Sequence, residues 1–170
     1  MAGLLYELIG VIEQETSVYD KILSFNDAKR QAVIDRNAGE LERITGQEEG
    51  CLFDLQKYEQ KRLGLLKDMA VVLGHDGENI TVNFIIDSLK KQPDEQEALK
   101  AARDALVEKA SEVRFWNQEN QELLNTAMSM VDFDLNLFKS MRQAPETGNY
   151  NKKAYNTGDL LGGSSFDSKQ

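Results

Sequence analysis

Proline is almost missing from this chain: 170 residues hold only Pro93 and Pro145. Glycine is sparse before residue 144, so long helices can form without interruption. Cysteine occurs once, as Cys51, which excludes an internal disulfide and fits a reducing cytosol. Its neighbours Leu52, Phe53 and Leu55 mark it as a small buried residue rather than a reactive thiol. Histidine also occurs once, as His75 in the loop Gly74-His75-Asp76-Gly77-Glu78-Asn79, and reads as a solvent-exposed loop residue. One histidine and one cysteine cannot build a zinc site of the usual kind. A basic cluster is lacking too. The formal net charge is −9 and the pI about 4.7, unsuited to phosphate backbones or anionic lipid surfaces. No apolar run approaches the roughly 18 residues of a membrane span. The first residues, Met1 to Glu7, carry no positive region, and Glu7, Glu13 and Glu15 interrupt the apolar positions, so no signal peptide is expected.

Catalytic constellations are equally scarce. No Glu-x-x-His pair is present, which excludes a di-iron helix bundle. Gly162-Gly163-Ser164-Ser165 has neither the spacing nor the lysine of a phosphate loop. Carboxylates such as Glu13, Glu15, Glu48 and Glu49 read as solvated helix faces. The sequence therefore predicts no enzyme, no catalytic residue, no metal and no cofactor.

What the chain does have is helical periodicity. Apolar residues keep helical spacing from Leu5 through Leu8, Ile12, Tyr19, Ile22 and Phe25, with Glu15 on the same line, predicting a first helix over residues 3 to about 36. Asn37 is a good N-cap and Glu40 stands three residues on, as in a capping box. A second helix is predicted from Ala38 to Leu73, with its stripe on Leu41, Ile44, Leu52, Leu55, Arg62, Leu66, Met69 and Leu73. Gly46, Gly50 and Gly64 lie inside it at about 1 kcal/mol each against alanine. A close approach of another helix at Gly46 and Gly50 is one reason to keep them; a bend is the other. Thr81 can cap a short helix from Val82 to about Lys91. Pro93 then opens a stretch free of proline and glycine up to Pro145, with apolar or small residues at Leu99, Ala102, Leu106, Ala110, Val113, Trp116, Leu124, Ala127, Val131, Phe138 and Met141. Asn120 and Asp134 sit on that seam.

The fold class is thus all-α: an elongated antiparallel helical bundle or coiled coil of two long helices, one short helix and one very long C-terminal helix. Residues 1–143 form the bundle. Residues 144–170, with Pro145, four glycines and no helical period, read as a flexible tail. A straight helix from Pro93 to Gln143 would outrun a hairpin of two 35-residue helices by roughly 20 Å. Its last turns, with Met130, Val131, Phe133, Leu135, Leu137, Phe138 and Met141, would then need a partner, a second copy of the chain, or a kink to cover them.

Several of these residues carry a family resemblance. Glu48 followed by Leu55-x-x-x-Glu59-x-x-Arg62, then Asn117-x-x-Asn120-x-x-Leu123-Leu124 and the apolar run from Met128 to Phe133, resemble FlgN-type flagellar export chaperones. Tyr150-Asn151-Lys152-Lys153 and Tyr155-Asn156-x-Gly158 are similar to tail motifs of Gram-positive members. The resemblance implies a cytoplasmic protein that binds hook-associated (hook–filament junction) proteins before type III export and delivers them to an export-gate component. It assigns client binding to Leu123, Leu124, Ala127, Val131, Leu135 and Phe138, and makes Tyr150 and Tyr155 the candidates for docking on the gate. No nucleic acid and no membrane insertion are expected. The competing reading is a structural coiled coil that homodimerises through its exposed C-terminal helix.

Overall fold

The computed structural model describes residues 2–143; residues 144–170, with the expected tail and both candidate gate tyrosines, Tyr150 and Tyr155, lie outside the described residues. Among the described residues five helices follow one another: α1 (Ala2–Ser24), α2 (Asn26–Ile34), α3 (Ala38–Leu73), α4 (Val82–Ser88) and α5 (Pro93–Gln143). No strand occurs among the described residues. The all-α class and the very long last helix therefore stand as expected.

Three local expectations are corrected. The first helix is two helices, because the Phe25 N–H donates to Ile22 O at 3.1 Å, three residues back rather than four. That tight turn starts α2 afresh with Lys29 N donating to Phe25 O, and it lets α2 bury Ala32 and Val33. The short helix ends at Ser88 rather than near Lys91, capped by Leu89, whose N–H donates to Ile85 O and Ile86 O. The third correction concerns Gly46 and Gly50. A Cβ built at either would meet nothing within 4 Å, so no helix approaches there. Both positions are exposed.

The helix ends follow ordinary capping chemistry. Asn37 Oδ1 accepts from the Glu40 N–H at 3.1 Å, and Thr81 Oγ1 from the Phe84 N–H at 3.2 Å. The expected capping box is only half formed. Glu40 turns to Arg43 (2.6 and 2.9 Å), while the Asn37 N–H donates to Ala32 O instead. Gly74 ends α3 in the left-handed region at φ 80°, a conformation glycine adopts without cost.

By internal packing the chain divides into two compact units, Met1–Asn125 and Thr126–Gln170, with the division inside α5. The first unit is an antiparallel bundle. α1 and α3 pack closest; Leu5, Leu8, Val11 and Ile12 of α1 meet Leu65, Leu66 and Met69 of α3. α4 contributes Ile85 just before its end at Ser88, Leu89 follows, and Leu99 of α5 completes the cluster. A second, smaller cluster joins Ile22, Cys51 and Val113, with Val18, Tyr19, Leu23, Phe25 and Leu55 against it. Cys51 is 2% exposed, a buried small residue as its neighbours indicated.

Candidate functional site

Two surfaces are the candidates, one in each unit. In the second unit the described stretch of α5 runs from Thr126 to Gln143. Met128, Met130, Val131, Phe133, Leu135, Leu137, Phe138 and Met141 are all exposed there, from 41% at Val131 to 67% at Phe133. With 3.6 residues per turn, these apolar positions cover an arc of about 220° around the helix. Asp134 and Arg142 interrupt it. A helix that packs one stripe on a core shows an arc nearer 100°. Of the client-binding positions expected from the family resemblance, Ala127, Val131, Leu135 and Phe138 recur at 4-4-3 spacing and share one face of this stretch. Ala127 is half-buried and the other three are exposed. Leu123 and Leu124 belong to the first unit, where both are half-buried.

The surface of the first unit is a slot between α3 and α5 that has α1 as its floor. Tyr19 and Ile22 form that floor, Glu48, Leu52 and Leu55 one wall, and Ala110, Val113, Arg114 and Asn117 the other; the volume is about 380 Å³. Leu52 is 58% exposed despite its place on the apolar stripe of α3. Beside the slot lies a void of about 10 Å³, lined by Asn26, Trp116 and Asn120 and sharing Ile22, Glu48, Val113 and Asn117 with it. Asn120, one of the two polar residues on the α5 seam, is 7% exposed. Its Nδ2 donates to Asn26 Oδ1 at 2.9 Å, but its own Oδ1 has no partner. Two further contacts hold α2 here: Lys29 Nζ pairs with Glu48 Oε2 at 2.7 Å, and the Arg30 guanidinium lies 5.4 Å from the Trp116 ring centre.

The ionisable groups inside the first unit are structural. Glu15 is 4% exposed and accepts from Arg62 Nε through both oxygens, at 3.1 and 3.2 Å. Burial pushes its carboxyl above the ordinary value, Arg62 pulls it back, and the Glu59 charge adds a smaller push upward. Burial, helped by Glu15 and Glu59, raises the Tyr19 hydroxyl as well, against Arg62 and Arg114. The reading of Glu15 as part of a solvated helix face is corrected: it lies on the apolar line of α1 and is buried, because Arg62 on the α3 stripe meets it there, a pairing the sequence did not show. His75 packs edge-on against Phe84 with Nδ1 3.0 Å from Glu78 Oε2, a loop contact. Among the described residues no group of three or more His, Cys, Asp or Glu is placed to hold a metal ion, and no helix is long and apolar enough to cross a membrane.

The sequence pointed to Asn117 and Asn120, placed Leu52 on the α3 stripe without marking it as uncovered, and gave no sign of Asn26 or Arg114. Leu52 and Arg114 lay one on and one beside an apolar stripe, and only packing distinguishes a stripe residue left uncovered.

The chain matches the family described as FlgN protein over residues 1–158 and belongs to that family, one of flagellar export chaperones that bind flagellar proteins. No curated protein and no solved structure matches it.

Proposed function

We propose that the protein acts in the cytoplasm by binding the terminal helices of hook–filament junction proteins, keeping them unassembled and handing them to the type III export apparatus. The observation that supports this most strongly is the set of eight large apolar side chains exposed between Met128 and Met141. Burying one such side chain is worth roughly 1.5–3 kcal/mol, and an exposed cluster of them marks an interaction site. Three of the eight are methionines, whose flexible side chains suit a surface that accepts more than one client. Ala127, Val131, Leu135 and Phe138 are the contacts assigned to a client helix, with Leu123 and Leu124 continuing the apolar sequence in the first unit. Recognition is by an amphipathic helix laid on an apolar helical surface. Tyr150 and Tyr155 keep the role of gate contacts.

The test is calorimetry of the full chain with the terminal segment of a junction protein. A one-to-one complex is expected, weakened at least tenfold by Val131→Asp. Equal affinity of the wild type and the variant would remove the site. Light scattering addresses the homodimer reading. A free chain that is monomeric at micromolar concentration leaves the apolar surface to the client; a stable dimer that Val131→Asp dissociates would assign it to self-association.

A further inference from the structure

We infer that the slot between α3 and α5 is a second docking site, which takes an amphipathic helix of the client carrying a carboxylate within reach of Arg114. This rests on the chaperone reading and adds a contact in the first unit. Four features support it. The lining residues run from Glu48 to Leu55 on one wall and from Ala110 to Asn117 on the other, about two helical turns each. A slot of that length, open along its side, matches two or three apolar side chains of one helix at i, i+3/i+4 and i+7. Leu52, 58% exposed on its wall, gains cover when the slot is filled.

The polar groups decide the character of the occupant. Arg114 is exposed and, among the described residues, makes no ion pair and no hydrogen bond; its charge is felt only by the Tyr19 hydroxyl on the slot floor. Glu48, on the opposite wall, is already neutralised by Lys29 at 2.7 Å. Of the two charged residues that line the slot, Arg114 is the one without an ion pair among the described residues, and an acidic residue on the incoming helix complements it. In the void beside the slot, the Asn120 Oδ1 acceptor is buried without a partner. A buried acceptor without a donor costs roughly 1–3 kcal/mol. A donor side chain of the docked helix can satisfy it through one water in the adjoining void.

The experiment is a titration of the full chain, by fluorescence polarisation, with the labelled terminal segment of a hook–filament junction protein. Leu52→Lys and Arg114→Glu both alter exposed side chains, and thermal melts confirm that each variant folds as the wild type does. Each is expected to weaken binding about tenfold or more. A segment with its acidic residues changed to lysine should bind the wild type poorly and regain affinity for Arg114→Glu. Wild-type affinity in both variants overturns the inference. If Phe138→Asp abolishes binding while both slot variants bind normally, the slot falls and the chaperone surface stands. If Phe138→Asp has no effect but the slot variants weaken binding, the assigned chaperone surface falls instead. If Leu52→Lys converts a dimer to a monomer with client affinity unchanged, the occupant is a second copy and the inference is wrong.

Discussion

Two stretches of α5 with similar apolar content meet opposite fates. In the first unit, Leu99 is fully buried, Val113 is 8% exposed and Asn120 is 7% exposed. In the second unit, Val131, Leu135 and Phe138 continue the helical spacing, yet they are 41%, 51% and 66% exposed. Hydrophobicity does not separate the two stretches, and neither does helical propensity. The difference is supply: α1, α3 and α4 deliver Leu5, Leu8, Met69 and Ile85 to the neighbourhood of Leu99, whereas the apolar arc of the second unit stays open. A stripe in the sequence states what a helix is able to bury, and the rest of the fold decides what it does bury.

The largest effect that tests this contrast is core truncation. Leu99→Ala should cost about 2–5 kcal/mol and lower the melting temperature sharply. Leu135→Ala, the same change in the second unit, should stay within about 0.5 kcal/mol. Equal losses at the two sites would mean that the exposed stretch is covered in the free protein. Next in size is Arg62→Leu. It strands the Glu15 carboxylate in the first unit and should cost about 3 kcal/mol in a denaturant titration at neutral pH. A variant as stable as the wild type would show that Glu15 takes up a proton readily at that position.

A cap substitution is smaller. Asn37→Ala removes the acceptor for the Glu40 N–H and should cost about 1 kcal/mol by thermal melt. The smallest effect is the pH dependence of Glu15. Its folded pKa is raised by burial, so the native state binds this proton more tightly than the unfolded chain does. The stability tied to that proton is fully present below the ordinary glutamate value and is lost as pH rises through the raised one. The wild type should therefore gain on Glu15→Gln as the pH falls through the carboxylate range. A gain in the opposite direction would mean that the Arg62 pairing outweighs burial.

Much of the architecture was legible in the sequence because its signals are local. Asn37, Thr81 and Gly74 fixed helix ends through their own caps, and the stretch from Pro93 onward without proline or glycine gave the long helix its start and length. The break at Phe25 was not legible. No proline or glycine marks it, and its reason is tertiary: α2 turns to bury Ala32 and Val33 and to bring Lys29 to Glu48. The part-buried Asn26–Asn120 contact was half legible. Asn120 stood on an apolar seam, but its partner lies 94 residues away and only packing joins them. Gly46 and Gly50 misled because a glycine pair four apart suggests close packing, whereas the space beside both is open.

For the candidate site, helical spacing placed the apolar run from Met128 to Met141 on the last turns of the long helix, and the structure adds that its side chains are exposed. The slot was not legible, since Leu52 and Val113 look alike on a stripe until one is 58% exposed and the other 8%.

The central claim is that the exposed apolar surface of the second unit serves binding and not folding. The most direct measurement is Phe138→Asp in the full chain, followed by thermal melting and by calorimetry with a junction-protein terminal segment. The account predicts an unchanged melting temperature together with at least a tenfold loss of client affinity. A variant that melts far lower, or one that binds the client as tightly as the wild type, would contradict it.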